Sequence, residues 1–162
     1  MDRENVVHPG VDRTEGKTIT FENFKKFIDT TGMSEQQSQR FIDFLRQLFS
    51  ETSQLWRPGA CHACEVFEEK AKRLIRDSSF NDLQIEPRNY SSGTHFWLVG
   101  KLAGLKKELI IDPFGVPFPG TDIYTQPEKI IPFFGIIDHA PENARNIYRQ
   151  GDKDAGYHIF RP

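Results

Sequence analysis

"HFWLVGKLAGLKKELIIDPF", residues 95–114, contains two short runs of aromatic and β-branched residues, 95–102 and 107–114, on either side of Ala103-Gly104-Leu105-Lys106. Runs of this composition around a glycine-containing break read as a β-hairpin. A turn centred near residue 104 sets His95 opposite residue 112 or 113, which makes His95 and Asp112 neighbours at one end of a sheet.

Upstream of the hairpin the apolar period is helical. In "TFENFKKFIDTTG", Phe21, Phe24, Phe27 and Ile28 recur at helical spacing behind Thr20 as N-cap, and Gly32 ends the run. "SEQQSQRFIDFLRQLFS" begins with Ser34 as N-cap and Gln37 completing a capping box, and carries a stripe of Phe41, Phe44, Leu45 and Leu48. After the break at Trp56-Arg57-Pro58-Gly59, a third helix starts within a residue or two of Cys61. Its apolar face is Cys64, Phe67, Ala71, Leu74 and Ile75, and its polar face is Glu68, Glu69, Lys72 and Arg73.

Downstream, prolines 113, 117, 119, 127 and 132 mark a loop-rich stretch. A short helix follows with Pro141 in its first turn, and "GYHIF", 156–160, reads as a last strand. Helices first and strands later indicate an α+β fold, with N-terminal helices packed on a small antiparallel sheet.

With 162 residues, 37% hydrophobic and 27% charged, the chain has the size and composition of one globular domain with a core of its own. Residues 1–17 show no apolar period and contain His8-Pro9-Gly10, so they are expected to be an extended or mobile lead to a single domain at 18–162. The net charge of -2, without a basic stripe, argues against nucleic acid as a partner. The N-terminus lacks the apolar segment of a signal peptide, and no run is long and apolar enough to span a membrane. A soluble protein is expected, cytoplasmic or exported by a signal-less route, or a piece of a larger polypeptide.

The only two cysteines are three residues apart, too close to staple distant segments, so free thiols are expected. Cys61 stands at a helix start, where the macrodipole and unsatisfied N–H groups favour the thiolate. Cys64, one turn further along the apolar face, is a core residue by the same pattern. His95 beside Asp112 supplies an oriented base for the Cys61 thiol. The Cys61 backbone N–H, with Gln54 seven residues upstream, offers an oxyanion hole. A metal site at Cys61, His62 and Cys64 is not expected, because a helix points consecutive side chains apart and no second ligand pair exists. Asp138-His139 is a poor acid–base pair, since adjacent strand residues face opposite ways, and His158 reads as a packed or surface imidazole.

"QLWRPGACHACEVF", "GTHFWLVG" and "LIIDP", in that order, resemble the papain-like cysteine hydrolases, most closely the compact bacterial toxin and effector members such as papain-fold toxin domains and the deamidase domain of dermonecrotic toxins. The resemblance implies a papain-like domain with a Cys61-His95-Asp112 triad. It also implies attack on a protein amide, a glutamine side chain or a peptide bond, through a thioester and without a cofactor. The expected partner is a protein substrate of a host or competitor. The alternative is a non-catalytic interaction module on the same fold, with the aromatic set of 14 Phe and 2 Trp forming a binding face.

Overall fold

The computed structural model describes residues 20–56, 64–77, 80, 82–89, 95–117 and 130–151. The elements are β1 (Ile28–Asp29), α1 (Glu35–Thr52), α2 (Cys64–Asp77), β2 (Leu83–Asn89), β3 (Phe96–Leu102), β4 (Leu109–Pro117), β5 (Ile130–Ile136) and α3 (Glu142–Arg149). Short 3₁₀ segments lie at Phe21–Phe27, Ser53–Leu55 and Ile137–His139. The fold is α+β, with one five-stranded sheet in the order β1-β5-β4-β3-β2.

A strand that is apolar at both parities must be covered on both faces. Phe96 to Gly100 are all buried, and the two parities enter two different cores. Phe96 and Leu98 join Phe41, Phe44, Leu45 and Leu48 of α1 and Phe67 and Ala71 of α2 in the larger one. Trp97 and Val99 join Ile110, Phe133, Ala144 and Tyr148 of α3 in the smaller. The N-terminal helices therefore cover one face of the sheet, as expected, and α3 covers the other.

The capping box forms as read: Gln37 N–H donates to Ser34 Oγ at 3.0 Å, and Ser34 N–H donates to Gln37 Oε1 at 2.9 Å. Arg40 of α1 ties this helix to the turn before β2 through Asp82 at 2.6 Å. The Arg40 hydrogen bond holds the Asp82 carboxyl below the usual range.

Several expectations are corrected. The first helical run is 3₁₀, which stacks residues three apart and so aligns the buried Phe21 and Phe24, and Ile28 leaves it for β1. The sheet is mixed, because β1 runs parallel to β5, pairing Ile28 with Phe134 and Asp29 with Gly135. The supposed loop after Asp112 is in part strand, since β4 continues to Pro117 and β5 begins at Ile130. Pro113 is tolerated in β4 because the register shifts between Asp112 and Val116. Pro132 is tolerated in β5 because β1 reaches only Phe134 and Gly135. Glu68, assigned to the solvent face of α2, is 4% exposed and paired with Lys72 at 2.6 Å. The expected strand at 156–160, with His158, and the N-terminal lead lie outside the described residues.

The β1–β5 contact gives a direct test. A Cβ on Gly135 would stand 2.5 Å from the Asp29 carbonyl oxygen and 3.1 Å from the Phe133 ring. Gly135→Ala is expected to cost about 1–3 kcal/mol in urea unfolding, the usual range for overpacking. At Gly100 the nearest atom to an added Cβ is a Leu83 methyl at 3.5 Å, so Gly100→Ala should be close to neutral.

Candidate active site

His95 immediately precedes β3 and is 7% exposed, and Asp112 of β4 is fully buried. Their side chains meet with Nε2 2.8 Å from Oδ2. The hairpin pairs Leu98 with Ile111, Val99 with Ile110 and Gly100 with Leu109, one residue offset from the expected register. Continuing that register sets Asp112 opposite Trp97 and makes His95 its diagonal neighbour on the same face. A diagonal pair of this kind stays within reach of an imidazole.

The local sequence Asp112-Pro113-Phe114-Gly115 explains how the carboxylate is held. An Asp side chain readily accepts from N–H groups two and three residues on, and Gly115 supplies the positive φ, +81°, that the turn requires. Phe114 and Gly115 N–H both donate to Oδ1 at 3.1 Å. The Tyr148 hydroxyl of α3 donates to Oδ2 at 2.7 Å, alongside His95. With this many donors converging, Asp112 acts as an acceptor, so His95 carries its proton on Nε2 and its lone pair on Nδ1. Nδ1 is then the atom suited to take a proton from a nucleophile.

An aromatic wall backs the pair. The Trp97 ring lies 5.4 Å from the imidazole at an interplanar angle of 30°, and Tyr148 meets Trp97 edge-on at 5.2 Å. Burial of this order reduces competition from water for the His95–Asp112 hydrogen bond. Trp97 Nε1 is buried and finds no hydrogen-bond partner among the described residues.

Cys61, Arg57 to Ala63 as a whole and the side chain of Cys64 lie outside the described residues. The described part of α2 begins at Cys64, and three residues on Phe67 packs against Phe114 at 5.2 Å. The first turn of α2 is thus docked beside the segment that follows Asp112. Gln54 is exposed in the 3₁₀ turn Ser53–Leu55. Asp138 and His139 fall in a 3₁₀ turn, with Asp138 engaged by Lys107 at 2.7 Å and Arg149 at 2.9 Å. Those hydrogen bonds hold the Asp138 carboxyl below the usual range. Among the described residues no cluster of three or more His, Cys, Asp or Glu side chains could hold a metal ion, and no helix is long and apolar enough to cross a membrane.

Tyr148 is the residue that sequence reasoning missed. Its helix is legible, but a tyrosine on an apolar stripe gives no sign that its hydroxyl reaches a carboxylate 36 residues away in the chain.

No protein-family model, curated protein or solved structure matches this chain.

Proposed function

We propose that the chain is a thiol-dependent amide hydrolase of papain-like type, in which Cys61 is the nucleophile, His95 the base and Asp112 the group that orients the imidazole. The observation that carries this reading is the buried His95–Asp112 pair, whose hydrogen bond leaves Nδ1 as the basic nitrogen. The first described turn of α2, three residues after Cys61, packs on Phe114 in the larger core, the sheet face opposite the one where His95 and Asp112 meet Trp97 and Tyr148, so the reading requires Cys61 to meet the pair at the end of the sheet.

In the proposed reaction His95 Nδ1 takes the Cys61 proton and the thiolate adds to an amide carbonyl. The Cys61 backbone N–H, helped by Gln54, stabilises the oxyanion. Collapse breaks the C–N bond, and His95 returns the proton to the departing nitrogen. Water, deprotonated by His95, then cleaves the thioester to give a carboxylic acid and the free thiol. The substrate class is a protein amide, either a glutamine side chain, releasing ammonia, or a peptide bond. Action as a bacterial toxin or effector on a host or competitor protein follows from the resemblance of "QLWRPGACHACEVF" and its partner motifs alone.

The test is the pH dependence of iodoacetamide alkylation with peptide mapping. Cys61 is expected to react selectively below about pH 7, against about 8.5 for an ordinary thiol, and to lose that reactivity in His95→Ala. Equal reaction of Cys61 and Cys64 only near pH 8.5 would remove the reading and favour a non-catalytic interaction module.

A further inference from the structure

We infer that Tyr148 is a positioning residue that sets the basicity of His95 through the oxygen the two side chains share. The inference rests on the reading of His95 as a base, but it concerns the His95–Asp112 pair and not the thiol.

The two Asp112 oxygens are held differently. Oδ1 is satisfied within its own turn by the Phe114 and Gly115 N–H groups. That local turn already fixes the carboxylate's orientation, so the Tyr148 bond is not needed for placement. Oδ2 accepts from Tyr148 at 2.7 Å and from His95 at 2.8 Å. A carboxylate oxygen that accepts from a phenol has less charge to offer an imidazolium. The Tyr148 hydroxyl therefore weakens the hold of Asp112 on a protonated His95, keeping the imidazole able both to accept and to return a proton near neutral pH.

The arginines of the elements packed on this face have partners of their own. From β2, Arg88 lies opposite Trp97 on the same side of the sheet, and it is engaged by Glu86 at 2.7 Å. From α3, Arg145 donates to the Asp138 and Ala140 carbonyls, and Arg149 pairs with Asp138. Asp112 from β4 is bonded to the imidazole, and Tyr148 from α3 reaches it through the shared oxygen.

The experiment is an NMR titration of His95 in the full chain carrying Cys61→Ser, which removes any coupled thiol titration. The resonance is assigned by its loss in His95→Ala. Tyr148→Phe keeps the ring against Trp97 and removes only the hydroxyl. It is expected to raise the His95 midpoint by about half a pH unit, and the same substitution added to Asp112→Asn should produce no further shift. Phe133→Leu disturbs the ring stacked on Tyr148, at 6.4 Å, without touching the hydroxyl, and should leave the midpoint in place. This control stands even if Asp112→Asn folds poorly.

An unchanged or lowered midpoint in Tyr148→Phe, or an equal rise in Phe133→Leu, would overturn the inference. Alkylation of Cys61 in the otherwise native chain separates the two ideas. A rise in the His95 midpoint with an ordinary Cys61 thiol upholds the role of Tyr148 and removes the thiol reading. An activated Cys61 with a midpoint indifferent to Tyr148 does the reverse.

Discussion

Asp112→Ala is expected to cost the fold about 4 kcal/mol or more, while Asp112→Asn should leave most of the stability and remove the low-pH reactivity proposed for Cys61. In the alanine variant the Phe114 and Gly115 N–H groups, the Tyr148 hydroxyl and His95 Nε2 all lose their acceptor in a buried site. Each unsatisfied buried group costs about 1–3 kcal/mol, so the sum is large even at the low end. Asparagine keeps an oxygen for the two backbone donors but turns an NH₂ group toward His95. The imidazole must then accept at Nε2 and carry its proton on Nδ1, the wrong tautomer for taking a proton from Cys61. A wrong tautomer of this kind in a serine-protease triad lowers turnover by roughly 10⁴. Urea unfolding and the alkylation profile read the two effects separately. Low-pH alkylation that survives in Asp112→Asn would show that Asp112 serves the fold and not the chemistry.

The His95–Asp112 meeting was legible in the sequence because it depends on little: two apolar runs, one turn and a period of two. The turn residue Gly104, at φ +82°, lies where the break in the pattern put it, and the difference in register made His95 and Asp112 diagonal instead of opposed neighbours. α1 was legible for a similar reason, since its cap and its stripe are both local. What stayed hidden depends on partners distant in the chain. "LQIEPRN" becomes β2 because β3 offers it an open edge, and its own composition, with Pro87 in the middle, argues weakly for a strand. The bulge after Asp112 hid the continuation of β4, because a proline there usually signals a loop. The Tyr148 hydroxyl is further still from any local pattern, as it reaches Asp112 from a helix whose stripe asks only for apolar area.

Trp56→Ala should be the most damaging substitution in the larger core, at about 3–5 kcal/mol, the usual cost of truncating a buried large aromatic. The indole is fully buried, stacked on Phe134 at 5.1 Å and met edge-on by Phe24 and Phe49, each at 5.0 Å. These partners belong to the N-terminal 3₁₀ segment, to α1 and to β5, so one ring joins three elements. Its Nε1–H donates to Thr52 Oγ1 at 2.8 Å, and the Thr52 hydroxyl in turn donates to the Leu48 carbonyl, which fixes the ring to the end of α1. Trp56→Phe keeps part of the packing and loses the hydrogen bond, so about 1–2 kcal/mol is expected. Because Trp56 stands five residues before Cys61 in the chain, an anchoring role predicts more than lost stability. The selectivity of alkylation for Cys61 over Cys64 should fall in Trp56→Ala at temperatures where the variant is still folded, and hold in Trp56→Phe. A full loss of stability with unchanged selectivity would mean that Trp56 binds the core together but does not hold the approach to Cys61.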